Sequence, residues 1–400
     1  MHDNRRPHEL SRTQVLAVMM ALILGSFGIG TGEFAIMGVL QDVATGINTP
    51  VTQAGNLISA YALGVVIGTP LSILFVARFP RKTQLLLLMA FAVLGNVATT
   101  FSPEYTSLLA SRFAAGLPHG AYFGVASLVA ANLFPPSQRG KAVGWIMLGI
   151  TSATLVGNPM CTFIGQAAGW REVFGIISLI EVIAAVLIAV FLTRNEEEPA
   201  SSPIKEFGAL LNRQVWFTLA VGAIGFGGVF AVVGYVAPAL TSAASMSPTL
   251  LPYVLLVFGL GMTAGNYVGG RSADKNLTAT IMLALGWGLF TMLLYTKLMT
   301  NPYGAFLGIF LIGTNMALVA PLQVRLMDVA GNAQTLAASL NHSALNLANA
   351  IGPWLVGIAI DMKYGWESTG YIGAVLSAVG AAIFLVSLHS EKTMDSAYAR

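Results

Sequence analysis

The 400-residue chain holds one cysteine, Cys161, which excludes an intramolecular disulfide and leaves no cysteine cluster for a metal. Charge is equally scarce. Asp, Glu, Lys and Arg make up 9% of the residues and hydrophobic residues 56%, whereas soluble domains carry roughly 25% charged residues. Of the five histidines, His2, His8 and His389 lie at the ends, so no nucleophilic or metal-binding cluster is expected. The phosphate-cradling pattern G-x-x-x-x-G-K-[ST] is absent, which excludes ATP as the direct driving force. No cleavable signal is expected, because the apolar run after Arg5, Arg6 and Arg12 is too long and no A-x-A site follows. These absences predict an all-α membrane protein, not an enzyme, with no cofactor.

What is present is a series of long apolar spans, at 14–40, 54–77, 83–101, 105–133, 142–166 and 172–193, then at 215–241, 249–270, 277–297, 302–324, 334–360 and 366–388. A helix of about 20 apolar residues crosses a bilayer. Between the two sets lies a polar stretch with Glu196-Glu197-Glu198, Pro199 and Ser201-Ser202-Pro203, a composition foreign to a membrane helix. The expected organisation is an N-terminal six-helix half (1–193), a linker (194–214) and a C-terminal six-helix half (215–400).

The basic residues predict the orientation. With the N-terminus inside, sixteen of the twenty fall on the cytoplasmic side, among them Arg78, Arg81, Lys82, Arg139, Lys141, Arg194, Arg271 and Lys275. Only Arg171, Lys297 and Lys363 then face outside, and Arg112 lies within a span. Both termini and the linker are therefore expected in the cytoplasm. The net charge of +3 follows from this bias and gives no reason to invoke nucleic acid.

The two sets of spans look like copies offset by about 196 residues: Phe34–Gly38 resembles Phe230–Gly234, Gly64 and Gly68 match Gly261 and Gly265, and Gly116 matches Gly313. Gly169-Trp170-Arg171-Glu172 matches Gly365-Trp366-Glu367-Ser368. Two parallel six-helix repeats joined by a linker predict a transporter whose halves rock about a midplane site.

Into this apolar background the chain places a few costly polar groups. Glu33 sits in the run Phe27–Leu40, where a charge costs at least about 2.5–3.5 kcal/mol and by default marks function. Arg112, in the fourth span, lies at matching depth, each residue about eight positions or roughly 12 Å below the outer end. The two are expected to pair, either as a static packing ion pair or as a proton-coupling pair. His119 follows Arg112 by two helical turns and can meet solute, relay a proton, or simply bond a neighbouring carbonyl. At the repeat offset these residues correspond to Val229, Ile309 and Met316, so these groups are not duplicated and proton chemistry is expected in the first half. Glu181, in the sixth span, is a second intramembrane carboxylate whose surroundings the sequence leaves open.

Thr31-Gly32-Glu33-Phe34, Leu117–Gly124 and Gly157-Asn158-Pro159 with Gly165-Gln166 and Gly169-Trp170-Arg171 resemble the major facilitator superfamily, in its drug:proton antiporter group and near its arabinose-efflux permeases. The resemblance covers nearly all of residues 12–390 and implies the major facilitator fold: twelve transmembrane helices in two six-helix halves related by a pseudo-two-fold repeat. It implies that the Arg112–Gly116 stretch is motif B, tied to proton coupling through Glu33, Arg112 and His119, with Ala115 where glutamine is common. Ala153, Gly157 and Pro159 resemble the antiporter motif C, echoed by Gly352 and Pro353, and are expected to form a hinge and packing seam. The loop at Arg78, Arg81 and Lys82 occupies the place of motif A but has Ala77 and Pro80 in place of its aspartate and glycine; the loop with Gly270 and Asp274 keeps the pattern better. A cytoplasmic gate is expected there, although topogenic charge accounts for the basic residues equally well.

A polar stripe on the eleventh span, Ser339, His342, Asn346 and Asn349, is expected to line a solute cavity or to bond between helices. Asn315 and the aromatics Phe34, Tyr122, Phe123, Phe230 and Tyr235 complete the expected cavity. The whole predicts a secondary antiporter of the bacterial inner membrane, with the proton as coupling ion. It is expected to export, as a monomer, a small neutral or weakly charged solute, with sugars, nucleosides and amphipathic drugs implied by the resemblance. A proton-coupled importer or uniporter and a non-transporting receptor are the alternatives.

Overall fold

In a computed structural model the described residues are 11–76, 78–134, 139–193, 212–330 and 334–398. The linker expected at 194–214 therefore lies almost wholly outside them, as does the side chain of Ser339. The described residues are helical throughout, with no strand.

Twelve helices are long and apolar enough to cross a membrane. They are α1 (Arg12–Gly46), α2 (Val51–Ser72), α3 (Arg81–Phe101), α4 (Tyr105–Asn132), α5 (Gly144–Ala168) and α6 (Trp170–Phe191). After the 192–211 stretch come α7 (Arg213–Val233), α8 (Pro248–Ala273), α9 (Leu277–Leu298), α10 (Pro302–Ala330), α11 (Leu340–Asp361) and α12 (Ser368–Glu391). All twelve expected spans are present. The first reaches beyond its expected end at Leu40, because Gln41–Gly46 continue the helix after a local break at Val39 (φ −114°, ψ 15°).

The repeat is legible atom by atom. A side chain on Gly64 would run into the backbone carbonyl of Phe113, and one on Gly116 into that of Tyr61, so α2 and α4 touch backbone to backbone. One repeat later Gly261 meets the carbonyl of Phe310, and Gly313 that of Phe258, joining α8 to α10 in the same way. Such contacts need residues without a Cβ, which is why the glycines recur in register. Gly157 and Gly352 both stand at close helix contacts. Gly157 lies against Thr31 of α1, Gly352 against Gly227 and Ala231 of α7, and Pro353 against Gly234. Ala153–Gly157 form a π-helical turn just before Pro159, a local break of the kind that bends helices.

Several hydrogen bonds join the two halves towards the end of the bundle that carries Gly46, called here the Gly46 face. Tyr235 donates to the Thr52 carbonyl (3.0 Å), Gln166 to the Pro248 carbonyl (2.7 Å) and Ser59 to the Ala350 carbonyl (2.8 Å).

Candidate functional site

The polar cluster at the centre of the bundle forms because α1 is stripped of side chains on several sides. A Cβ on Gly28 would stand 2.9 Å from Glu181 Cγ, one on Gly30 would stand 3.1 Å from Ala153 Cβ, and one on Gly32 would stand 3.2 Å from Asn96 Nδ2. Helices α3, α5 and α6 thus close directly onto α1, and Glu33 is carried into the middle, where it is 4% exposed.

Glu33 does not pair with Arg112 as expected from depth. Its Oε1 accepts from Asn349 Nδ2 of α11 at 3.0 Å, and its Oε2 lies 3.8 Å from His119 Nε2. Arg112 instead donates from Nη2 to the Gly32 carbonyl at 2.8 Å, and its guanidinium rests over the rings of Tyr61 (4.5 Å) and Phe174 (5.2 Å). Its Nε and Nη1 have no partner, although the residue is wholly buried. Equal depth fixes height along the bundle, not the direction around a helix, and the carboxylate turns towards the amide that α11 supplies.

His119 closes the cluster. Its Nδ1 is 3.0 Å from the Tyr61 hydroxyl, which also lies 3.4 Å from the Ile29 carbonyl. If Tyr61 donates to Nδ1, Nε2 carries the proton and faces Glu33; if Tyr61 donates to Ile29, Nε2 is bare and faces the acid form of Glu33. The geometry therefore accommodates a proton on either side of the 3.8 Å gap.

The imidazole packs at 5.1 Å on Phe123, which stacks on His342 of α11 at 6.0 Å with ring planes 13° apart. Along α11, Asn346 donates to the His342 carbonyl (3.1 Å), and both Asn346 and Asn349 keep a buried side-chain oxygen without a donor. Phe123, His342, Asn346 and Asn349 are thus brought together beside Glu33.

Other expected cavity residues go elsewhere. Tyr122 donates to the Leu22 carbonyl (2.9 Å) and fills the space left by Gly25, inside the first half. Tyr235 seals the Gly46 face through Thr52 and Trp366. Asn315 turns to α9, where it donates to Thr291 (3.0 Å) and to carbonyls of its own helix. Each is a polar group satisfied locally by a helix it packs against, as burial requires. Phe34 and Phe230 sit in the main apolar core, and Phe230 meets Phe226 edge-on.

Of the expected gate residues, Arg78 and Lys82 make contacts within their own half. Arg78 stacks on Phe75 and Phe79, and Lys82 donates to the Ala189 carbonyl (2.6 Å) at the end of α6. Arg81 opens α3. Asp274 caps α8 just after Gly270, and among the described residues it forms no ion pair. The side chains of 331–339, on the α11 approach, lie outside the described ones.

Two members of the cluster escaped sequence reasoning. Tyr61 bridges Arg112 and His119, and Asn96 donates to both oxygens of Glu181 at 3.0 and 3.1 Å. An amide deep in the otherwise apolar third span was the available signal for Asn96. Glu181 itself is 0% exposed, so it faces the bundle and not lipid.

The likenesses agree with this architecture. The chain is 36% identical to the inner membrane transport protein YdhP of Escherichia coli (strain K12), over 94% of this chain and 97% of that one. It is 32% identical to AraJ of the same strain, over 92% of this chain and 94% of that one. Among solved structures, a bacterial homologue of the human lysosomal transporter Spinster, inward-facing and unoccupied, superposes with a TM-score of 0.74, at 14% identity, over 94% of this chain and 97% of that one. Residues 22–338 match the Major Facilitator Superfamily profile. With twelve spans, a duplicated six-helix scaffold and these relatives, the chain belongs to the Major Facilitator Superfamily and is a multi-pass membrane transporter, not an enzyme.

Proposed function

We propose that the protein is a proton-coupled antiporter that exports a small neutral or weakly charged solute by alternating access. Glu33 carries the proton, Arg112 and His119 set its environment, and Phe123, His342, Asn346 and Asn349 contact the solute. Sugars, nucleosides and amphipathic drugs are the candidate classes. The Gly46 face is assigned to the outside and both termini to the cytoplasm, following the positive-inside distribution of Lys and Arg.

One observation carries the reading: the bond from Asn349 to Glu33 joins residues 316 apart and therefore ties one half to the other. Hydrogen bonds to ionised groups contribute about 1.5–3 kcal/mol, roughly twice a neutral bond. With Glu33 ionised and no solute present, the bond holds the Gly46 face shut. A proton on Glu33 weakens it; a solute that engages the Asn349 amide replaces it. Either ligand releases the halves, while the empty carrier stays locked, which is the condition for obligatory exchange. The lack of any further charge on the cavity-facing residues of α11 favours a solute of little charge.

The test uses purified protein in liposomes with an imposed pH gradient and arabinose, a nucleoside or chloramphenicol as solute. Accumulation should follow the gradient in wild type and vanish in Glu33→Gln, whereas solute exchange across equal pH should persist. Gradient-driven accumulation at full rate in Glu33→Gln would refute the assigned role.

A further inference from the structure

Glu181 is the buried carboxylate that the exchange cycle above leaves idle. It lies on α6, 0% exposed, and both its oxygens depend on one donor, Asn96 Nδ2. Gly28 and Gly32, one turn apart on α1, make room for the pair: their missing side chains would press on Glu181 Cγ and Asn96 Nδ2. Gly32 also offers the carbonyl that receives Arg112. The Glu181–Asn96 pair and the guanidinium therefore share one turn of α1.

The groups that face Glu181 electrostatically are Arg112 and Tyr122 of α4 and Tyr61 of α2, while α3 contributes the neutral Asn96 and α1 its glycines. Arg112 is held on the Gly32 carbonyl, next in the chain to Glu33 and one turn from Gly28, which faces Glu181. One guanidinium is thus the nearest fixed cation to two buried carboxylates, without an ion pair to either. A net charge in such a site is costly to bury, and one proton among the acids removes it.

The amides are suited to this. Asn96 Oδ1 is buried without a donor, as is Asn349 Oδ1 beside Glu33. A side-chain amide turned by half a rotation offers its oxygen in place of its NH2, so it can donate to a carboxylate or accept from the acid. The site holds two Glu–Asn pairs of the same chemistry. They differ in that Asn349 comes from the opposite half and meets one oxygen of Glu33, whereas Asn96 belongs to the same half as Glu181 and meets both of its oxygens.

We infer that Glu181 is a second proton-binding residue of the exchange cycle, linked to Glu33 through the shared Arg112, with one proton dividing between the two Glu–Asn pairs. A proton on Glu33 loosens the contact between halves. The same proton on Glu181 neutralises the cluster and leaves that contact intact, so it can wait there while Glu33 is ionised. The inference rests on Glu33 being the proton carrier.

Infrared difference spectroscopy of the full chain in lipid membranes, in H2O and D2O across acid to mildly alkaline pH, tests it with protons as the only ligand. The buried acid C=O bands should titrate as two groups in wild type and one in Glu181→Gln. In Glu33→Gln the band that remains should belong to Glu181. Interacting sites shift each other by more than about one unit, so each substitution should displace the surviving midpoint by at least about one pH unit. Asn96→Ala, which leaves the acid in place, should displace the Glu181 midpoint while its band persists.

A Glu33→Gln spectrum with no titrating band would overturn the inference, as would a Glu33 midpoint unmoved by Glu181→Gln. The transport assay of Glu33→Gln decides the underlying reading separately.

Discussion

In the solute-free protein, replacing Asn349 by alanine removes the donor to Glu33 and no other bond, because its Oδ1 has no partner. The lost bond spans 3.0 Å inside the protein and ends on a carboxylate. At about 1.5–3 kcal/mol for a charged acceptor, and tenfold for each 1.4 kcal/mol, the ratio of open to closed Gly46 face should rise about ten- to hundredfold. Spin labels at Thr45 and Thr249, exposed on opposite halves of that face, report the distance once Cys161 is replaced by serine. The distance distribution in lipid nanodiscs should shift from one short population towards a longer one at a pH that ionises Glu33.

At low pH, with Glu33 protonated, the bond is neutral and worth only about 0.5–1.5 kcal/mol, so the effect of Asn349→Ala should shrink by about a factor of ten. Glu33→Gln and Asn349→Ala should be non-additive in a double-mutant cycle, as residues in direct contact are. In liposomes Asn349→Ala should leak solute down its gradient without proton exchange. An unchanged distance distribution at a pH that ionises Glu33, with intact coupling, would refute the view that this bond is the lock.

Other outcomes follow from the same geometry. Tyr235→Phe removes the donor to the Thr52 carbonyl; it should cost about 0.5–1.5 kcal/mol of closure and widen the same spin-label distance without altering pH dependence. Gly64→Ala places a methyl group on the Phe113 carbonyl, backbone against backbone, and should destabilise the protein by about 1–3 kcal/mol in thermal unfolding in detergent. Gly144→Ala, in a position with open space, should instead be neutral or stabilising by up to about 1 kcal/mol. Cys161 is free and buried, and the same Cys161→Ser background serves for single-cysteine labelling. An impermeant maleimide should reach Asn301→Cys in intact cells, but Asn276→Cys only after permeabilisation; the reverse pattern would invert the proposed orientation.

The number of spans and the repeat were legible because both are local or periodic: about twenty apolar residues make a helix that must cross, and a glycine is required wherever two backbones touch, so Gly64, Gly116, Gly261 and Gly313 recur in register. The cost of burying charge also singled out Glu33, Arg112 and His119, and the structure does gather them. Their bonding partners were not legible. Depth along a helix can be counted from residue numbers, but the azimuth of a side chain depends on how its helix is rotated against its neighbours. For the same reason Tyr122, Tyr235 and Asn315 were assigned to a cavity, whereas packing turns each towards a nearby carbonyl or hydroxyl.

The sequence alone therefore determined that this chain crosses the membrane twelve times, is built twice from one plan, and confines its buried charge to the first half. Only the tertiary structure decided that Glu33 meets Asn349 and not Arg112, and that Glu181 has Asn96. Composition and period act within a helix. A hydrogen bond between residues 316 apart exists only once the helices have packed, and the glycines of α1 let them pack closely enough for it to form.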